Sequence, residues 1–149
     1  MNTAGILRQR DYEAQVLHLT NAIRAAGWDC QRQANGGRIL PPLRFSSQLL
    51  VAARAQSVGM ALNGYFAHQS SVDNSMPDDR VRASGYPAMA DAENIAAGQR
   101  TPVEVVTAWK KSPSHCPNIM GDYDEIGVAY VHQDGSRYAD YWTQVFGRR

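Results

Sequence analysis

The sequence is short of nearly everything that would announce a partner or a reaction. Its charges almost cancel, 15 Lys and Arg against 14 Asp and Glu for a formal +1, so no net field draws the chain to nucleic acid or anionic lipid. Basic residues are dispersed, and no face joins them to aromatics as single-stranded nucleic acid binding requires. No run approaches the ~20 apolar residues of a membrane-spanning helix. The opening MNTAGILRQRDYEA lacks the apolar centre of a signal peptide, so Met1 reads either as a native start or as the point where a leader was removed. Only two cysteines occur, Cys30 and Cys116, and neither stands in CxxC spacing, which argues against a zinc knuckle or a thioredoxin-type centre. HExxH, GxSxG, Walker and GxGxxG patterns are missing, so the common zinc-peptidase, serine-hydrolase and nucleotide-binding classes lose their usual markers. Repeats, low-complexity tracts and linkers are absent too. The expectation is one domain over residues 1–149, with its core from about 12 to 147.

What is present is punctuation. Asp11 can cap a helix whose apolar positions Tyr12, Val16, Leu19, Ile23 and Ala26 recur at helical spacing until Gly27 stops it. The loop that follows holds Cys30, and Asn35, Gly36, Gly37, Pro41 and Pro42 keep it irregular. A second helix starts at Ser46 or Ser47, buries Leu49, Leu50, Ala53, Ser57 and Met60, and ends at Gly64. Residues 79–84 suit a short helix, and Glu93 to Gly98 a brief strand. TPVE, residues 101–104, combines a threonine cap, proline at the first helical position and a glutamate three residues after the cap. That helix must stop by Pro113. Two alternating β-rich runs around Asp134-Gly135 predict a hairpin with Ile126, Val128 and Tyr130 on one face. The order predicts an α+β fold, helices packed on a small antiparallel sheet.

Of four histidines, His18 on the first helix and His132 beside the hairpin turn read as ordinary exposed or satisfied imidazoles. His68 and His115 differ, because each follows a helix end, in a loop where a side chain can face a cleft. The stretch SPSHCPNIM sets His115 against Cys116. An imidazolium beside Cys116 could favour a thiolate nucleophile, and cytosolic thiol chemistry is one reading. Pairing with Cys30 in an oxidising compartment is the other, and it is the one favoured.

YFAHQS at 65–70, ENIAAGQRTPVEVVTAWKKSPSHCPNIM at 93–120, EIGVAYV at 125–131 and YWTQVFG at 141–147 together resemble the CAP superfamily of cysteine-rich secretory, antigen 5 and pathogenesis-related proteins, in its small bacterial form. The resemblance runs from about Val16 to Gly147. It implies a three-layer α-β-α sandwich with a small central antiparallel sheet, a secreted or periplasmic location, and hence the Cys30–Cys116 disulfide. It further implies an open cavity in which His68, His115 and Glu93 hold a divalent metal, commonly Zn²⁺, weakly. Many eukaryotic members carry a glutamate where Ser112 stands at the cavity rim, so Glu125 or Asp124 would have to supply the fourth acid. Two functions follow as expectations. The first is a monomeric secreted protein binding an extracellular lipid, peptide or cell-wall fragment, with no nucleic acid partner. The second is a metal-dependent hydrolase, a peptidase with Glu93 as general base.

Overall fold

The computed structural model describes residues 2–149. Its first helix, α1 (Thr3–Ala26), starts well before Asp11. Asn2 caps it by accepting from the Gly5 N–H at 2.8 Å, while Asp11 accepts from the Gln15 amide one turn on, at 2.8 Å. Gly27 ends α1 in the left-handed region, φ 67°, and the chain turns so tightly that a Cβ there would meet the Gly37 carbonyl oxygen at 2.6 Å.

β1 (Arg44–Phe45) leads into α2 (Ser47–Asn63), which Ser46 caps through the Leu49 N–H and Gly64 closes at φ 67°. Then come α3 (Pro77–Ala83), β2 (Ala90–Ala97), α4 (Pro102–Lys111), α5 (Cys116–Ile119), β3 (Glu125–His132) and β4 (Asp140–Arg148). As its TPVE signal predicts, α4 starts from Thr101, whose hydroxyl accepts from the Glu104 N–H at 3.2 Å. The Glu104 carboxylate bonds the Arg100 N–H, one residue before the cap.

The sheet runs β1-β3-β4-β2. Its long strands β2, β4 and β3 are antiparallel as expected, but β1 pairs with β3 in parallel and makes the sheet mixed. The difference is small in extent: only Arg44 and Phe45 pair.

Strand alternation then makes the layers. Ile126, Val128 and Tyr130 of β3 and Trp142 and Phe146 of β4 meet Val16, Ile23, Val105, Val106, Trp109 and Ile119 from α1, α4 and α5. Ala129 and Val145 on the opposite face meet Leu49, Ala52 and Ala53 of α2, Val81 of α3 and Tyr86. Gly127 is the close approach: a Cβ there would sit 2.2 Å from the α2 backbone at Leu49 and Leu50. The result is the helix–sheet–helix sandwich.

Candidate functional site

Strand β2 lies at the edge of the sheet, and adjacent side chains on it point to opposite faces. Glu93 therefore turns toward α2 and α3, and Asn94 toward α4 and α5. Glu93's side chain is 1% exposed, so its oxygens need partners inside the protein. Oε1 accepts from His68 Nδ1 at 2.8 Å and from Gln56 Nε2 at 3.2 Å, and Oε2 accepts from Arg80 Nη2 at 2.9 Å. The Tyr65 hydroxyl donates to Gln56 Oε1 at 3.2 Å and fixes which way that amide faces. Arg80 also donates to the His68 carbonyl at 2.7 Å and the Ser75 carbonyl at 2.9 Å, tying down the loop that carries His68.

A carboxylate only accepts, so His68 Nδ1 carries the proton and its Nε2 keeps a lone pair when the ring is neutral. His115 is held similarly from the other side of β2. Its Nδ1 lies 2.8 Å from Ser112 Oγ, and its carbonyl accepts from Asn94 Nδ2 at 3.2 Å. Asn94 in turn bonds Asn118 and Gln144. Burial, and then the charge of His68 nearby, push the His115 imidazole below its usual value of 6.5, so it is neutral at pH 7. Each ring thus has Nδ1 tethered, and neither Nε2 bonds any group among the described residues.

Cys116 follows His115 directly and is bonded to Cys30, with Cα atoms 5.8 Å apart. It is fully buried. With no free cysteine among the described residues, the thiolate nucleophile at Cys116 is corrected: that residue is an anchor for the His115 segment.

The candidate fourth acids stand elsewhere. Glu125 accepts from the Tyr86 hydroxyl at 2.8 Å and from Arg149 Nε at 2.9 Å. Burial opposes its ionisation, but those two bonds outweigh it and hold the carboxyl below its usual value. The Tyr86 phenol, buried against this carboxylate, is pushed up to about 12. Asp124 flanks Arg24, and its carbonyl accepts from the Arg44 N–H at 2.9 Å. Neither bonds His68, His115 or Glu93. Ser112, at the position where many eukaryotic members are expected to carry the glutamate, instead bonds His115 Nδ1.

Among the described residues, no group of three or more His, Cys, Asp or Glu side chains is arranged to hold a metal ion. The pocket's ring nitrogens left without a hydrogen-bond partner among the described residues are the two Nε2 atoms. Arg80 and Gln56, which bond the Glu93 oxygens, stand in no motif that marks them in the sequence. PDDRVRA holds two arginines, Arg80 and Arg82, that both look like solvated helix charges, and only the burial of Arg80, 7% exposed, reveals its role.

Three layers of helix, sheet and helix, with a buried carboxylate on the edge strand and two tethered histidines beside it, define an α+β sandwich domain. The chain belongs to the CAP, or cysteine-rich secretory protein, family, whose model matches residues 17–146. It is 41% identical over 136 residues to the uncharacterized protein YkwD of Bacillus subtilis strain 168, covering 91% of this chain and 46% of that protein. The crystal structure of an extracellular protein containing an SCP domain, from Bacillus anthracis, is 27% identical with a TM-score of 0.75, over 95% of this chain and 41% of that one. The chain thus spans less than half the length of these two proteins. An outer surface protein of Borrelia burgdorferi shares the fold at 20% identity and a TM-score of 0.68, over 91% of this chain and 93% of that one.

Proposed function

We propose that the chain is an extracellular CAP domain whose His68–His115 pocket takes a divalent cation, zinc in the first place, and presents it to an extracellular ligand such as a lipid, a peptide or a cell-wall fragment. The observation that carries this reading is the matched tethering of the two rings, His68 by Glu93 and His115 by Ser112. A hydrogen bond that fixes one ring nitrogen, most often to a carboxylate, is the usual outer support of metal-binding imidazoles. The donor set fits zinc, which neutral imidazoles bind at about 2.0–2.1 Å. It fits loosely, because two protein nitrogens leave the remaining positions to water or to the ligand. Glu93 is then the group that orients His68, since its oxygens are engaged by His68, Gln56 and Arg80. When bound, the cation would polarise a ligand carboxylate or a water molecule. The location rests on the disulfide, which oxidising compartments favour, and on the extracellular and surface character of the structural relatives.

Hydrolysis with Glu93 as general base draws less support, because both carboxylate oxygens already have donors. Zinc calorimetry on the wild type, His68→Ala and His115→Ala tests the binding reading. Heat in the wild type and its loss in both variants is expected, with binding fading in acid because imidazolium cannot coordinate a cation. Equal heats in all three would remove the imidazole pair as ligands. Peptide cleavage that requires zinc and disappears in Glu93→Gln would transfer the pocket to the hydrolase reading.

A further inference from the structure

We propose that Asn35 is a site of spontaneous, self-catalysed modification: its side-chain amide is lost through a cyclic imide formed with Gly36, leaving aspartate or isoaspartate in the loop that carries Cys30. The sequence contains two Asn-Gly pairs, Asn35-Gly36 and Asn63-Gly64, and the fold treats them in opposite ways.

The attack needs a free backbone N–H after the asparagine, a free side-chain amide, and room for the two to meet. Asn35 and Gly36 are both exposed, outside any helix or strand. Among the described residues the Gly36 N–H donates to nothing, whereas its neighbour Gly37 donates to the Gly27 carbonyl at 2.7 Å. No heavy atom beyond its chain neighbours lies within 4 Å of where a Gly36 side chain would begin, and φ there is 111°. Asn63 and Gly64 are exposed too, and a Gly64 side chain would likewise meet nothing within 4 Å, but there the two groups that must react are both held. Asn63 is the last residue of α2, its amide donates to the Gly59 carbonyl at 3.1 Å, and the Gly64 N–H is held by the Met60 carbonyl at 3.1 Å. Cyclisation there must first unwind the end of a helix.

The chemistry balances without any redox partner. The Gly36 nitrogen, having given its proton to hydroxide, bonds to Asn35 Cγ; the Cγ–Nδ2 bond breaks and ammonia leaves with a proton from water. A second water then opens the ring at either carbonyl. One neutral amide becomes one carboxylate, so the formal charge of the chain falls from +1 to zero. That new charge appears in a cleft between α1 and α4 that Asn35 lines together with Lys110.

The experiment is ageing of the folded, oxidised chain at mildly alkaline pH, followed by digestion at Lys and Arg and mass mapping. The peptide 33–38, QANGGR, isolates Asn35. Its conversion several-fold faster than that of Asn63 is expected, with acceleration as hydroxide rises and almost complete loss in Asn35→Gln, which leaves the backbone untouched. In chain unfolded in urea, the two sites should convert at similar rates. Conversion of Asn63 at the same rate as Asn35 in the folded chain, or an Asn35 that stays intact while a free peptide of the same sequence converts, overturns the proposal.

Discussion

Arg80 is the residue that ties Glu93 to the loop carrying His68. It is the cation facing Glu93 from inside the protein, in a pair whose side chains are 7% and 1% exposed. Removing one member of a buried ion pair leaves the other uncompensated and costs about 3–5 kcal/mol. Arg80→Met should therefore lose that amount in urea unfolding, while Arg80→Met combined with Glu93→Leu should recover a good part of it. A single variant as stable as the wild type would show that Glu93 is not held as described. This is also the boundary of what could be read from residues alone. His68, Glu93 and His115 stand in motifs that residue type and order alone make recognisable. Arg80 and Gln56 act through burial, which one-dimensional spacing does not encode, and Glu125 and Asp124 were assigned by charge type although the fold sends them to Tyr86 and Arg24.

At the scale of elements, the Glu-Asn pair at the head of ENIAAG shows how one strand serves two walls. Alternation on β2 gives Glu93 to the His68 loop and Asn94 to the His115 carbonyl, so the strand positions both rings from one backbone. Helix caps at Ser46 and Thr101 and stops at Gly27 and Gly64 were legible because they are local chemistry. β1 and α5 were not: Arg44 and Phe45 become a strand only because β3 lies beside them, and Cys116–Ile119 is too short to show a period. The hairpin was read correctly at Asp134-Gly135, but its strands stop at His132 and Asp140. A side-chain bridge spans that last pair. His132 Nδ1 bonds Asp140 at 2.9 Å and Nε2 bonds Asp134 at 2.7 Å, and these bonds raise the imidazole above 6.5. Folding thus favours protonated His132, and its contribution is complete below pH 6.5, then lost as pH climbs through the raised folded value. With the ring 46% exposed, screening limits the gain to about 1 kcal/mol at most. Thermal midpoints of the wild type and His132→Gln should differ most at pH 5–6 and converge above neutrality. A gap that widens with rising pH would contradict the bridge.

For the molecule as a whole, the disulfide joins the loop after α1 to the segment that carries His115, across a sequence separation of 86. Two consequences are separable. In the chain-entropy account, closing a loop of this length restricts the unfolded chain by about 4–5 kcal/mol, a large share of the roughly 5–15 kcal/mol that keeps a domain folded. The second consequence is local. α5 is a single short turn, and beyond the bond at Cys116 its position relies on Ile119 in the core and on the contacts of Asn94 and Arg24, the latter donating to the Ile119 carbonyl at 2.9 Å. Reduction, or Cys30→Ser, should therefore lower the urea midpoint by most of that entropic amount. It should also weaken zinc binding in chain that is still folded, measured by calorimetry at a temperature well below the reduced protein's midpoint. If the midpoint falls and zinc binding does not, the bond is a constraint on the unfolded chain alone, and Ser112 with Asn94 suffices to place His115. If both fall together, the anchor also shapes the pocket, and the cysteine beside the histidine owes its position to that geometry.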